Sequence, residues 1–180
     1  MYDSQPDIYK LNFSEHTMRL HIDVPTMMKK LGEFNFVLDA TPRLPIWEAF
    51  QAEWQDGTGS ENMDVAIWQR NLCFSPESYL KLASKLKAYG EFLPITVEGE
   101  TWHIFNITHT LDADPAQSRK ACVDGEESTY VEAIGFLPDQ EDLIFKSTYD
   151  GCMGIYCQDS FIEMVKDLTG IEFSSDLRSI

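Results

Sequence analysis

The spacing of apolar positions changes along this chain, from a period near two at the start to helical spacing in later segments. Residues 7–13 and 19–24 alternate as strands do. In the second of these, Leu20, Ile22 and Val24 share one face and His21 and Asp23 the other. Met27, Met28 and Leu31 predict a short helix after Pro25 that stops at Gly32, and residues 34–38 read as a further strand. Ile46, Trp47, Phe50 and Trp54 make a narrow stripe at helical spacing. We read the stripe as core rather than as a ligand shelf, because aromatic side chains so spaced usually pack inside. An exposed loop at Gly57–Ser60 and a strand over Asp64–Trp68 follow.

The clearest block is 72–118. Ser75 and Pro76 are a cap and first residue for a helix over 76–88, with Tyr79, Leu82, Ala83 and Leu86 on one face and Gly90 at its end. Leu93–Val97 and Thr101–His109 form a hairpin turning at Glu98-Gly99-Glu100. A loop leaves it, in which Asp112 and Asp114 cap a turn around Pro115. Residues 120–129 read as polar and flexible, and Tyr130–Phe136 and Leu143–Phe145 as strands. Gly154–Cys157 then leads into a second helix, capped by Asp159, striped by Phe161, Met164, Val165 and Leu168, and closed by Gly170. The helices align at an offset of 82 residues, a hint of weak internal duplication. The pattern predicts an α+β fold with a mixed or mainly antiparallel sheet and a few amphipathic helices: a domain over 61–180, with residues 1–60 packed on it.

Composition narrows the class. Of the 180 residues 43% are hydrophobic and 12% aromatic, enough for a core without staples. No apolar run approaches the roughly 20 residues of a membrane span, and the polar, acidic start does not read as a secretory signal. We therefore expect a cytoplasmic protein. Cys73, Cys122, Cys152 and Cys157 lack zinc-knuckle or redox-pair spacing and read as reduced, mostly buried thiols, with a Cys152–Cys157 pair left open. The net charge of −16 is concentrated in one half. Residues 1–90 hold 12 acidic and 9 basic side chains, and residues 91–180 hold 18 and 5. Such a field repels nucleic acid and anionic membranes and attracts basic proteins.

Signals for catalysis are weak. The sequence has no nucleophile elbow, no His-Glu-x-x-His and no phosphate-cradling glycine loop. His103 and His109, six residues apart on one strand, would stand about 20 Å apart, too far to share a metal ion. Asp112 and Asp114 lack the glycine and distal glutamate of a calcium loop. No catalytic residue, metal site or cofactor is expected.

Phe74-Ser75, the helix after it, Gly90-Glu91-Phe92-Leu93-Pro94-Ile95, Trp102–Ile107 and Leu111-Asp112-Ala113-Asp114 resemble the immunity proteins of bacterial polymorphic toxin systems. The likeness is to the immunity protein eleven type, first catalogued as a domain of unknown function. It extends through Asp142–Lys146 to Thr169-Gly170-Ile171-Glu172-Phe173, about residues 64–174. The sequence departs from the family where Tyr79 and Phe161 stand in place of the usual basic residue after Ser78 and Ser160. The resemblance implies a non-enzymatic protein that binds and neutralises a cognate toxin by occluding its active site. Many such toxins are nucleases with basic or metal-containing clefts, which an acidic inhibitor suits. The expected contact face is Asp112, Asp114, Asp124, Glu126, Glu127, Asp139, Glu141 and Asp142. Two alternatives stay open: a small hydrolase or transferase using carboxylates with His103 or His109, and a non-catalytic adaptor.

Overall fold

Side-chain alternation along short strands, rather than long helices, organises this chain. The computed structural model describes residues 6–13, 17–55 and 63–178; His16 and the expected Gly57–Ser60 loop lie outside them. In chain order the elements are β1 (Ile8–Asn12), β2 (Leu20–His21), α1 (Val24–Leu31), β3 (Phe50–Trp54), β4 (Val65–Trp68) and β5 (Asn71–Phe74). Then come α2 (Pro76–Leu86), β6 (Gly90–Val97), β7 (Glu100–Ile107), β8 (Arg119–Val123) and β9 (Glu126–Ala133). The chain finishes with β10 (Ile144–Phe145), β11 (Tyr156–Gln158), α3 (Asp159–Val165) and β12 (Glu172–Ser174). The fold is α+β, with one mixed sheet and two antiparallel ones.

Six strands pair in the order β2-β3-β6-β7-β5-β4. All neighbours are antiparallel except β3 and β6. The edges of this sheet meet: Arg19 bridges Ile67 in parallel, and the Ile67 amide donates to Met18 O at 2.9 Å. The sheet thus curls on itself into a small barrel. Alternation sorts its residues. Ala66, Trp68, Cys73, Leu93, Ile95, Trp102 and Ile104 point inward with Phe50 and Ala52, and Met27 and Leu31 of α1 join the same cluster. Val65, Leu72, Phe74, Phe105 and Ile107 point outward, where they meet Leu82 and Leu86 of α2. Each large apolar side chain so buried contributes about 1.5–3 kcal/mol.

The outer cluster is shared with a second sheet, β10-β11-β1-β12, through Leu11, Ile144, Cys157 and Phe161. β1 lies between β11 and β12, and β3 between β2 and β6, so the first 55 residues supply strands to both sheets. β8 and β9 form a separate hairpin.

Five expectations need correction. Residues 33–36 turn rather than extend, with Phe34 at φ 67°. The 46–54 stripe is no helix: a 3-10 turn at Leu44–Ile46 precedes β3, in which Phe50 and Ala52 face the barrel. Phe50 and Trp54, four residues apart, fit both periods, and pairing with β6 decides for the strand. Residues 120–129 are mostly strand, the tip of the β8–β9 hairpin. Asp159 is the first residue of α3, and Gln158 holds the cap position without a side-chain capping bond. Gly90 opens β6, where a side chain would come within 2.3 Å of Asn106 O. Ser75 does cap α2, accepting from the Ser78 amide at 3.2 Å.

The helices after β5 and β11 sit in different surroundings. β5 pairs with β4 and β7 in the barrel, β11 with β10 and β1.

Candidate functional site

Two-residue turns tighten three hairpins, and their chemistry separates them. Glu98-Gly99 and Asp124-Gly125 place both residues at positive φ, as such turns require, with glycine at the second position. The β4–β5 turn does the same with Gln69 and Arg70, at φ 45° and 68°, and no glycine.

The β8–β9 hairpin stands clear of both sheets beyond its root. At the root, Val131, Ile134 and Phe136 pack on Phe145 and Tyr156, and the Lys120 ammonium lies 4.8 Å from the Tyr149 ring centroid. Toward the tip, Cys122, Val123, Asp124, Gly125, Glu126 and Glu127 are all exposed, and Val123 and Tyr130 show 59% and 55% of their surface. Lys120 pairs with Glu127 at 3.5 Å and Arg119 with Glu132 at 2.7 Å, while Asp124 and Glu126 carry no ion pair among the described residues. The tip therefore combines uncompensated carboxylates with apolar surface.

Three of the eight acidic residues singled out from the sequence meet there: Asp124, Glu126 and Glu127. The others do not join them. Asp114 is spent on its own loop, accepting from the Ala116 amide at 3.0 Å and the Gln117 amide group at 2.6 Å. Asp142 is buried; it accepts from the Asp139 amide at 2.8 Å and is hydrogen-bonded to His109 Nε2 at 2.7 Å. Asp112, Asp139 and Glu141 are exposed in the loops before β8 and before β10.

The histidines separate as well. His103 lies flat on Tyr79 of α2, ring centroids 3.6 Å apart, and its burial pushes the imidazole below its ordinary range. His109 lies past the end of β7, edge-on to Tyr89. Among the described residues no group of three His, Cys, Asp or Glu side chains is placed to hold a metal ion, and no helix is long and apolar enough to cross a membrane. Cys73, Cys152 and Cys157 are buried, Cys122 is exposed, and all four are free thiols.

Two adjoining cavities escaped the sequence reading, and among the described residues neither is lined by a histidine. The smaller, about 250 Å³, has Lys146 in its wall. This lysine is 2% exposed; its ammonium donates to Leu38 O and to Asn71 Oδ1, both at 2.9 Å, and burial pushes its pKa down to about 8. The larger, about 410 Å³, lies where β1 and the segment after β12 face the barrel seam. Among the described residues, Lys10, Arg19, Arg70 and Arg178 line it with a single carboxylate, Asp176. These cations stand at 10, 19, 70 and 178 in a chain with an acidic surplus, so no local run announces the cluster.

No protein-family model matches this chain, and comparison with curated proteins gives no match.

Proposed function

We propose that this protein is a non-enzymatic immunity protein, which binds a basic protein toxin through the β8–β9 hairpin and blocks the toxin's active-site cleft. One observation carries the reading: a hairpin tip that sets Asp124 and Glu126, without ion-pair partners among the described residues, beside the exposed Val123. Carboxylates steer a basic partner and set its orientation, while apolar side chains supply the desolvated anchor that charge alone does not. The resemblance of residues 64–174 to toxin immunity proteins supplies the class of partner. A nuclease cleft, built to hold phosphates, fits this surface by charge. The proposal places the protein in the cytoplasm, where such a toxin would act.

The His109–Asp142 pair is the nearest thing to a catalytic dyad, and it favours the binding reading. Asp142 spends its second oxygen on the Asp139 amide, and the pair lines neither cavity.

The test is co-expression with the product of the adjacent gene, followed by affinity capture. A complex should form, weaken as salt is raised, and be lost when Asp124, Glu126 and Glu127 are all changed to Lys. Changing Asp112, Asp139 and Glu141 to Lys should leave it intact. The absence of a complex would overturn the toxin reading. A complex indifferent to the hairpin reversal would overturn the contact face.

A further inference from the structure

Among the described residues, the larger cavity gathers four of the chain's 14 basic residues around one carboxylate, Asp176. Arg178 is held by Asp176, Nη2 to Oδ2 at 2.5 Å, and Lys10 donates to Arg178 O at 3.0 Å. Arg19 and Arg70 have no hydrogen-bond or ion-pair partner for their guanidinium groups among the described residues. Both are nonetheless fixed at the backbone: Arg19 by its bridge to Ile67 at the barrel seam, Arg70 by the β4–β5 turn.

That turn is the second observation. A left-handed backbone at two successive non-glycine residues is costly and persists only where its surroundings enforce it. The enforcement is visible. The Asn71 side-chain amide donates to Gln69 O at 3.0 Å and Trp68 O at 3.3 Å, and Asn71 Oδ1 accepts from buried Lys146. A glycine would relieve the strain but would remove the cation that reaches both cavities. Asn12 and Ser174 add polar groups to the wall of the larger cavity, and Phe13, Ile67 and Ile155 apolar ones. About 410 Å³ falls within the range of small-molecule sites.

We infer that the cleft between the barrel seam and β1 binds a phosphate-bearing small molecule of mononucleotide size, its phosphate held by Arg19, Arg70 and Lys10 and its apolar part lying toward Phe13 and Ile155. Guanidinium forks match phosphate oxygens two at a time, and several cations suit a dianion better than a single carboxylate. The site is far in sequence from the hairpin and does not depend on the partner reading.

Calorimetric titration of the full chain at low salt, with pyrophosphate, with AMP and with a short single-stranded oligonucleotide, tests this. AMP and pyrophosphate should bind and compete with each other. Gln69→Asn with Arg70→Gly gives the turn its preferred residues, so this double variant should fold at least as stably as the parent while losing at least about tenfold in AMP affinity. Arg19→Gln should lose a similar factor, and Lys81→Gln, on the exposed face of α2, none. No binding of AMP or pyrophosphate at millimolar concentration would overturn the proposal, as would unchanged AMP affinity in the double variant. Binding of the oligonucleotide alone would overturn the small-molecule assignment in favour of a nucleic-acid backbone.

Discussion

The ammonium of Lys146 donates a 2.9 Å hydrogen bond to Asn71 Oδ1, and the Asn71 amide in turn clamps the strained Gln69-Arg70 turn. One buried cation thus ties the β10 end of the second sheet to a barrel hairpin, and its bond to Leu38 O adds the segment after α1.

Replacing Lys146 by Met should destabilise the protein by about 2 kcal/mol at pH 7, because Leu38 O and Asn71 Oδ1 lose their donor while the desolvated charge is relieved. The sign with pH follows from the folded pKa lying below the ordinary value. Between pH 8 and 10.5 the unfolded chain holds the proton that the folded chain has released, so raising the pH favours the fold. The stability gap between parent and Lys146→Met should therefore widen over that window, by on the order of 3 kcal/mol at most. Denaturant unfolding of both proteins at pH 7.5 and 10 measures it; a gap that stays constant contradicts the assignment.

The thiols should divide by burial. Cys122 is exposed on the β8–β9 hairpin, whereas burial pushes the Cys73 and Cys157 thiols up and away from the reactive thiolate. Native protein treated with a maleimide at pH 7 should gain one label quickly, at Cys122. Peptide mass mapping should find Cys73 and Cys157 modified only after denaturation.

Gly90→Ala should cost more than 2 kcal/mol, since the added carbon meets Asn106 O at 2.3 Å and the Phe105 ring at 2.9 Å, neither of them a flexible tip. Thermal melting reports the loss. An unchanged melting temperature would mean that β6 and β7 approach less closely than this register requires.

Asp142→Ala should destabilise by about 2 kcal/mol by leaving the Asp139 amide and His109 without their acceptor. The same change should leave partner capture through the hairpin at its parental level. Loss of capture without loss of stability would return Asp142 to the contact face.

Legibility in the sequence tracked the range of the forces involved. Helix α2 was readable because Ser75, Pro76 and the Leu82/Leu86 stripe act within a dozen residues. The β6–β7 hairpin announced itself through Glu98-Gly99. Asp124-Gly125 carried the same signal for β8–β9 and was outweighed by the polar composition around it. The β4–β5 turn gave no such signal, because Gln-Arg is not turn chemistry; its conformation is imposed by Asn71 and, through it, by Lys146, 75 residues away.

By itself the sequence determined helices α1, α2 and α3, the β6–β7 hairpin, and that the second half carries most of the negative charge. Tertiary structure decided where that charge points. It turned Asp142 inward, spent Asp114 on a turn, and left Asp124, Glu126 and Glu127 at a projecting tip. It also assembled the basic cleft of Lys10, Arg19, Arg70 and Arg178, which no count of charge along the chain reveals. The physical reason is common to both. Local propensity and periodicity act between near neighbours, whereas a surface or a cleft is defined by side chains that only barrel closure and cross-sheet pairing bring together.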